Sequence, residues 1–515
     1  MQEATKRASN LDRIAEQVLL GLATLCFVVL TRHHWQQICD DAFITFRYAN
    51  NIVAGLGPVW NRGERVEGFS SPLWLGILVA GRMLGATLPT FAGALGIACS
   101  ALCLMFVHRF TLGMAQSRVA AATACAVASL VYPLYYWAPA GLETTLYAAL
   151  VTLGAWALIA PSAWRWSLAA ALLGVARPEG PLLACALAVL ARLAHGRTAL
   201  RPGFLGLALA PAFLWLVFRR AYYGAWLPNT YHAKATGPLL FRLEAGLLYA
   251  LWALGLLAVT ALAIWLAGIA DRKTRCALAF LTLALAVVVA VGGDWMWHGR
   301  MLLPVLPSLV ALVAACIARA PASRRLVLSL ACALAGSGFL PRASLLGDAF
   351  AGQRLPPTAY QEGTMVSAAL AAAQFIAGRY PADALVAVNH AGALPYALPN
   401  PVLDMTGLAD RHIAREVEGG LHHKFDVAYI LSRKPRIVVL NTRTRPGTAG
   451  AWYRPGYWPG ETALFAQPEF AAKYRPVEIF WEWRWLGAAD SYIVLFERIS
   501  ERSGAREVRV ESRLR

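Results

Sequence analysis

Long apolar segments fill the first two thirds of this 515-residue chain, and short basic or Gly- and Pro-containing loops separate them. A helix needs about 20 consecutive apolar residues to cross the hydrocarbon core of a bilayer. The pattern therefore predicts a polytopic α-helical membrane protein with about eleven transmembrane helices. The candidate spans are 14–31, 88–109, 119–132, 141–160, 164–176, 180–195, 203–220, 245–267, 275–292, 301–319 and 324–340.

Basic residues concentrate in loops 192–201, 272–275 and 319–325. Cytoplasmic loops carry the excess of Lys and Arg in most membrane proteins, so these three loops are predicted to be cytoplasmic. Segment 72–87 is short and contains Arg82, and counting it as a span would break the alternation. We interpret it as an interfacial or re-entrant segment, or as half of a bent helix. The predicted outer loops are 32–71, 133–142, 177–179, 221–244 and 293–300, together with everything after 340.

The pattern changes after about residue 345, where short helical and strand patterns alternate. We predict a transmembrane domain over 1–344, with a long first outer loop at 32–71, and a periplasmic (extracytoplasmic) α/β domain over 345–515. The aromatic segment 480–485 is compatible with stacking on sugar rings, but packing as a strand is favoured. The predicted elements of this domain are a helix at 359–379, strands at 384–389 and 402–404, a helix at 409–419, and strands at 436–441 and 492–497.

Composition supports a membrane protein and argues against a nucleic-acid binder. Hydrophobic residues make up 58% of the chain and charged residues only 15%, whereas a soluble domain carries roughly a quarter charged residues. The net charge of +18 is explained by basic cytoplasmic loops and by sites for phosphate groups, because no zinc-finger spacing or Lys/Arg-rich run accompanies it. All nine cysteines precede residue 333, so no disulfide framework is expected in the last third.

Two adjacent carboxylates, Asp40 and Asp41, follow the first apolar span directly. Their mutual repulsion tends to raise the pKa of one and to leave one poised as a general base. The alternative is that one caps the helix predicted to begin near Ala42 while the other is solvated. We favour the functional interpretation because both lie beside the membrane, where ionised groups are costly.

Four further polar clusters interrupt apolar sequence on the predicted outer side, at 138–143, 177–179, 222–234 and 292–300. Each ionisable residue alone is as well explained by an ion pair between helices as by a ligand. Together with the Asp pair, however, they are predicted to converge on one face. The predicted substrate-binding residues, including those for the donor phosphate, are Arg47, Glu67, Glu143, Arg177, Glu179, Asn229, Lys234, Asp294, His298 and Arg300.

The chemistry of these residues suits a phosphate and a sugar. Arginine binds phosphate as a bidentate fork and lysine as a point charge, whereas Asp, Glu and Asn suit sugar hydroxyls. His298 is better explained as a hydrogen-bonding residue than as a metal ligand, because no second His or Cys lies at ligand spacing. No Walker loop or dinucleotide fingerprint is present, so a phosphate reached from the bilayer points to a lipid-linked donor.

Several motifs resemble one family of membrane enzymes, the terminal β-(1→2)-arabinofuranosyltransferases of mycobacterial cell walls and their bacterial relatives. This family is part of the GT-C superfamily, which uses polyprenyl-phosphate sugars. The first outer loop is the most specific part of the resemblance, which covers most of the chain. The motifs lie at 40–49, 55–61, 66–68, 70–74, 141–143, 177–180, 223–224, 227–230, 293–304 and 403–408.

The resemblance implies inverting transfer of a sugar from a lipid phosphate to a glycan, lipid or protein acceptor, outside the bacterial cytoplasmic (inner) membrane. It assigns the general base to Asp40 or Asp41, with Asp41 favoured. No cofactor is required by this logic; a divalent metal is used by some relatives, but nothing in this sequence supports one. Arabinofuranose is the favoured sugar, and another polyprenyl-phosphate sugar stays possible.

Two other functions compete with this interpretation. A protein O-glycosyltransferase of the pilin type, from the same superfamily, would share the donor and differ in the acceptor. A transporter or flippase for a lipid-linked sugar would place its polar groups near the membrane midplane, often in repeated halves. The charges here cluster at helix ends and no internal repeat is visible, which favours an enzyme.

Overall fold

The computed structural model describes residues 2–35, 38–160, 163–234, 238–269, 271–294, 296, 298–336, 359–419, 423–442, 458–484 and 490–499. The first part of the chain forms a bundle of helices. Their bounds are α1 Gln2–His33, α2 Ala42–Val53, α3 Pro72–Met83, α4 Leu88–Ala115, α5 Arg118–Ser129, α6 Tyr132–Trp137, α7 Thr144–Ile159, α8 Ala163–Leu173, α9 Gly180–His195, α10 Pro202–Tyr223, α11 Asn229–Lys234, α12 Leu239–Leu266, α13 Arg272–Ala290, α14 Leu306–Arg319 and α15 Ala322–Gly336.

Every predicted span overlaps one of these helices, and the helical membrane class predicted from the apolar pattern is confirmed. Among the described residues, five helices are long and apolar enough to cross a bilayer by themselves: 10–33, 88–115, 202–223, 239–266 and 272–290. The predicted number of eleven crossings and the predicted sidedness stay predictions. Helix α3 rises only about 18 Å at 1.5 Å per residue, which is shorter than the hydrocarbon core of about 30 Å.

Local sequence sets the helix boundaries near the first loop. Ser71 precedes α3, and its hydroxyl accepts a hydrogen bond from the backbone N–H of Trp74 at 3.3 Å, which satisfies one of the free donors at a helix start. Pro72 follows at the first helical position, where its missing N–H costs nothing. Helix α10 ends at Gly224, whose φ of 71° is a conformation that glycine adopts without strain.

The last part of the chain forms a sheet domain with five strands in the order β2-β1-β3-β5-β4. Strands β2, β1 and β3 are parallel, and β3, β5 and β4 are antiparallel. The strands are β1 Val386–Val388, β2 Val402–Asp404, β3 Ile437–Thr442, β4 Tyr474–Arg484 and β5 Asp490–Arg498. The helices are α16 Ala359–Arg379, α17 Ala393–Ala397, α18 Arg411–Glu416, α19 Val427–Ser432, α20 Pro459–Phe465 and α21 Pro468–Lys473.

The predicted strands of this domain are found, with shifted ends, and the helix predicted at 409–419 is shorter than expected. The aromatic segment belongs to β4, where the ring of Phe480 lies 6.1 Å from that of Phe375 on α16. Trp481 is 40% exposed, and Trp485 lies outside the described residues. The segment is therefore part of the sheet, as the favoured interpretation expected.

Three backbone contacts bring the loops at one end of the bundle together. Cys39 N–H donates to the carbonyl of Ala140, and Leu73 N–H donates to that of Val175. Asn229 N–H donates to the carbonyl of Glu67. The same end carries the sheet domain, so the first loop lies between the helices and the sheet.

Candidate active site

A cavity of about 490 Å³ opens between the first loop, the helix ends and the sheet domain. Most of the predicted ionisable residues meet in its wall, although they come from five separate segments of the chain. They are Asp41, Glu143, Arg177, Glu179, Lys234, Asp294 and Arg300.

Several of these side chains lie at or near the ends of helices. Glu143 directly precedes α7, and Glu179 directly precedes α9. Lys234 is the last residue of the short helix α11, and Asp294 follows the end of α13. The charged groups of the cavity are therefore located at or near helix ends.

Arg177 is held between two carboxylates. Its Nε lies 3.0 Å from an oxygen of Glu179, and its Nη1 lies 3.6 Å from one of Glu143. Burial works to lower the pKa of Arg177, but the two carboxylates more than offset this, so its pKa is raised. Arg177 is consequently charged and largely committed to its acidic neighbours.

Arg300 forms a second ion pair, with Asp294. Both guanidinium contacts are short, with Nε 2.7 Å and Nη2 3.0 Å from the two carboxylate oxygens. This bidentate geometry is the strong form of an arginine–carboxylate pair. Burial opposes the charge, yet Asp294 raises the pKa of Arg300 above its ordinary value.

Lys234 differs from the two arginines because no carboxylate of the described residues forms an ion pair or hydrogen bond with its ammonium. The side chain is accessible from the cavity. Desolvation lowers its pKa, while the carboxylate of Asp41 opposes that effect. Among the cavity cations that the structure describes, Lys234 is thus the one most available to an incoming anion.

Asp41 is the carboxylate counterpart of Lys234. It stands at the N-terminus of α2, but its side chain makes no capping hydrogen bond. It is half-buried in the cavity wall, and the described residues provide no ion-pair partner within 4 Å. The alternative of a helix-capping role is therefore not observed for Asp41, which lines the cavity instead.

Asp40 faces away from the cavity and contacts the sheet domain. Its carboxylate accepts a hydrogen bond of 2.8 Å from the backbone N–H of Ala393. Desolvation raises the pKa of this buried carboxyl, and His390 opposes the shift. Of the two candidate bases, Asp41 alone reaches the cavity in the structure, and Asp40 joins the first loop to the sheet domain.

Arg47 also proves to be an interdomain contact, which corrects its predicted role at the donor phosphate. Its guanidinium donates to the carbonyls of Trp60 at 3.0 Å, Leu398 at 3.1 Å and Asn400 at 3.1 Å, and also to that of Pro395. Burial lowers its pKa to about 10, so it is still cationic at neutral pH. Because this guanidinium donates hydrogen bonds to four carbonyls, it is not available to bind a phosphate.

Glu67 and Asn229 do not line the cavity either. Both oxygens of Glu67 accept hydrogen bonds from Arg219 of α10, at 2.6 and 3.1 Å. The side-chain amide of Asn229 donates to the carbonyls of Gly407, Leu408 and Asp410 in the sheet domain. Their predicted substrate contacts are corrected to structural ones, which fix the first loop and the loop after β2.

His298 is likewise outside the cavity lining. Its ring lies 4.1 Å from that of Tyr136 and 5.0 Å from that of Tyr132, and its carbonyl accepts from the indole N–H of Trp137. The predicted substrate-binding role of His298 is corrected to packing against these aromatic rings. Trp295 and Trp297 of the same cluster lie outside the described residues.

The cavity is also lined by four hydroxyl-bearing residues that were not predicted from the sequence: Thr45, Ser70, Thr230 and Tyr231. Thr45 follows Asp41 by four positions, a spacing that puts both on one helix face and could have indicated it. The sheet domain adds Leu408. That contribution depends on long-range docking, for which the local sequence holds no signal.

The described residues were compared with the ligand groups that bind metal ions in proteins. No group of three or more His, Cys, Asp or Glu side chains among them is arranged to hold a metal ion. Three of the four cavity carboxylates are already paired with arginine.

The chain is similar to known proteins in both sequence and fold. Residues 358–496 match a family model described as a domain of unknown function (DUF8728). The chain is 31% identical to a terminal β-(1→2)-arabinofuranosyltransferase of Mycobacterium tuberculosis in an alignment 334 residues long, which covers 54% of this chain and 52% of the relative. An enzyme of the same name from Corynebacterium glutamicum is 29% identical in an alignment 324 residues long, which covers 52% of this chain and 46% of the relative.

The predicted resemblance is confirmed. The chain spans about half the length of the curated relatives that it matches. Its fold is similar to that of ArnT from Cupriavidus metallidurans in the apo state, with a TM-score of 0.53 and 15% identity over 95% of this chain and 98% of that chain. The structure of ArnT bound to undecaprenyl phosphate gives a TM-score of 0.51 at 14% identity, over 95% and 99% of the two chains. The likeness shows that this chain shares the fold of ArnT.

Proposed function

We propose that this chain is an inverting glycosyltransferase that moves a sugar, with arabinofuranose favoured, from a polyprenyl-phosphate donor to a hydroxyl of a glycan or other acceptor. The reaction would take place on the outer side of a bacterial cytoplasmic membrane. One observation carries the proposal. Among the described residues, Asp41 is a carboxylate without an ion pair and Lys234 is a cation without one, and both line a cavity with two arginines that pair with three carboxylates.

Asp41 would act as the general base. Its carboxylate takes the proton of the acceptor hydroxyl as the oxygen attacks the anomeric carbon of the donor sugar. The new C–O bond forms on the face opposite the phosphate, and the bond from the anomeric carbon to the phosphate oxygen breaks. The electron pair of that bond leaves with the polyprenyl phosphate, so the anomeric configuration is inverted.

The cations of the cavity would stabilise the leaving phosphate. A phosphodiester carries one negative charge, and the departing monoester gains a second as the bond breaks. Preorganised cations aimed at developing charge lower the barrier because they need no reorganisation during the reaction. Lys234 is suited to this role, while Arg177 and Arg300 are held in fixed positions by their carboxylates.

The relatives support the choice of substrate class. Two curated relatives are named terminal β-(1→2)-arabinofuranosyltransferases, and ArnT, which has a similar fold, has been solved bound to undecaprenyl phosphate. These names favour a polyprenyl-phosphate donor with an arabinofuranosyl group. A protein acceptor is the same-class alternative, and a divalent metal is not needed by the mechanism.

A transporter of lipid-linked sugars is the alternative from another class. Transporters bind their substrates between two gates near the membrane midplane. The cavity here lies at one end of the bundle, against the sheet domain, and both the proposed base, Asp41, and the proposed leaving-group cation, Lys234, line it. This arrangement favours transfer over transport.

The test is sugar transfer by the purified protein in lipid nanodiscs, with radiolabelled decaprenyl-phosphate arabinofuranose as donor and an arabinan oligosaccharide as acceptor. Asp41→Asn keeps the shape of the side chain and removes the base. We expect kcat to fall by about 10²- to 10⁴-fold, while donor binding is retained. Thr45→Val, a neighbour without acid–base capacity, is the matched control.

Full activity of Asp41→Asn would refute the assignment of the base. Failure of every polyprenyl-phosphate sugar as donor, combined with movement of a lipid-linked sugar across the vesicle bilayer, would favour the transporter. NMR of the product reports the anomeric configuration, and retention of configuration would contradict the single-displacement mechanism.

A further inference from the structure

A second cluster of cations lies outside the catalytic cavity, around a small cleft between the first loop, the end of α10 and the sheet domain. The cleft is lined by Arg65, Tyr223, Leu227, Arg411 and Arg415, among other residues. Leu227 also lines the catalytic cavity, so it separates the two spaces. Nothing in the proposed transfer reaction uses these three arginines.

The arginines of the cleft form no ion pair with any carboxylate that the structure describes. No ion pair in the described part of the chain involves any of the three, and the one carboxylate in the cleft wall, Glu67, is fully engaged by Arg219. The Nε atom of Arg415 is buried and has no hydrogen-bond acceptor among the described residues. Arg411 and Arg415 are four positions apart on α18, a spacing at which like charges repel.

The cleft lies beside the end of a candidate membrane span. Tyr223 in its wall is the last residue of α10. The guanidinium of Arg65 lies 4.6 Å from the ring of Tyr222 in the same helical turn. Trp226, three residues after the helix, is 61% exposed, and exposed tryptophans are typical of the level of lipid headgroups.

We propose that Arg65, Arg411 and Arg415 bind the phosphate group of an anionic phospholipid at the membrane surface. Guanidinium groups match phosphate oxygens bidentately, and basic side chains near the surface are attracted to anionic headgroups. The enclosed part of the cleft is only about 10 Å³, the space of one water. The phosphate therefore binds at the rim, where Arg65 and Arg411 are exposed.

The experiment measures lipid binding to the full chain, independently of its activity. Native mass spectrometry or thermophoresis in detergent micelles is run with dioleoyl-phosphatidylglycerol, dioleoyl-phosphatidylcholine and inorganic phosphate as separate probes. The test variant is the double substitution Arg411→Gln with Arg415→Gln. The matched control is Arg379→Gln with Arg433→Gln, which removes two exposed arginines of the sheet domain that do not line the cleft.

Wild type is expected to prefer phosphatidylglycerol over phosphatidylcholine. The double variant lacks two basic groups near the surface and should bind phosphatidylglycerol about 30-fold more weakly. The control should bind as wild type does. Arg411→Lys with Arg415→Lys keeps the charge and should recover most of the affinity, which separates a lost charge from a misfolded domain.

Equal affinity of wild type and the Arg411→Gln, Arg415→Gln variant would overturn the proposal, as would equal binding of the two lipids. A tight site for inorganic phosphate, competing with phosphatidylglycerol and lost in the same variant, would support the anion chemistry and assign it to free phosphate. Arg65 lies in the first loop and not on α18. Weaker binding of phosphatidylglycerol by Arg65→Gln alone would therefore support a site that the three arginines share.

Discussion

The charge of Lys234 offers the cleanest test of how the cavity would stabilise a leaving phosphate. Lys234→Met removes the ammonium and keeps an unbranched side chain of similar length. Because no ion pair of the described residues involves Lys234, the substitution leaves no carboxylate stranded. Substitution of Arg300 would be harder to interpret, since it leaves Asp294 buried without its partner.

The expected loss can be worked from Coulomb's law. Two unit charges about 4 Å apart interact by about 4 kcal/mol at an effective dielectric constant of about 20. The donor phosphate carries about one charge before transfer and two after it, so the ammonium contributes both to binding and to the barrier. Removing one preorganised group of this kind costs about 10²- to 10³-fold in kcat, and we predict a loss of that size for Lys234→Met.

The assay is the initial rate of transfer from a polyprenyl-phosphate sugar in nanodiscs, with kcat and KM separated by donor titration. Lys234→Arg restores the charge and should keep a substantial part of the activity. Thermal unfolding of each variant, followed in the same nanodiscs, serves as the control for folding. A Lys234→Met protein that is stably folded and retains a kcat within threefold of wild type would refute the argument.

The same residue predicts a pH dependence with a definite sign. Desolvation lowers the pKa of Lys234 below its ordinary value of 10.5, so the ammonium loses its proton earlier as the pH rises. Transfer by wild type should therefore decline at alkaline pH, below the pH at which a free lysine would titrate. In Lys234→Arg the decline should move to higher pH, because arginine keeps its proton throughout this range.

Three further predictions concern stability. Gly392→Ala should weaken docking of the sheet domain, because an added Cβ would overlap Asp40, and faster cleavage in limited proteolysis would report it. Glu67→Gln should lower stability by about 3–5 kcal/mol, because it leaves the buried guanidinium of Arg219 without its counter-charge. Burial raises the pKa of Glu461 to about 8, so the sheet domain should lose stability from about pH 5 to pH 8, and Glu461→Gln should abolish that trend in hydrogen exchange.

Each of these predictions has a matched control. Gly378→Ala adds a Cβ where no atom lies within 4 Å, and it should leave proteolysis unchanged. Glu469→Gln breaks the exposed pair with Lys473 and should cost no more than about 1 kcal/mol. Glu478→Gln alters a carboxylate of the same sheet and should preserve the pH trend. A control that behaves like its test variant would contradict the corresponding argument.

The helices of the body could be predicted because a bilayer imposes a long apolar run on every crossing segment. The convergence of the cavity residues could also be predicted in part, since charges that interrupt apolar runs collect at helix ends. Glu143, Arg177, Asp294 and Arg300 are found in the cavity for this reason. The pairing of Glu143 with Arg177 could not be predicted, because the two residues are 34 positions apart in sequence and meet through helix packing.

Arg47 shows why other contacts around the site could not be predicted from the sequence. It lies six residues after Asp41 and has the chemistry of a phosphate ligand, so its position in the sequence favoured that role. Its actual partners are the carbonyls of Pro395, Leu398 and Asn400, about 350 positions away. Every residue carries a backbone carbonyl, whatever its side chain. An interface whose acceptors are carbonyls therefore cannot be predicted from the residue types.

The two adjacent aspartates acquire different roles from the geometry of a helix start. Consecutive side chains on a helical turn point about 100° apart, and the carbonyls of Asp40 and Asp41 already accept the bonds from Phe43 and Ile44 that begin α2. One carboxylate is therefore turned to Ala393 of the sheet domain while the next faces the cavity. Docking of the sheet domain on Asp40 thus fixes the backbone that carries Asp41, and it makes the sheet domain a structural part of the proposed catalytic site.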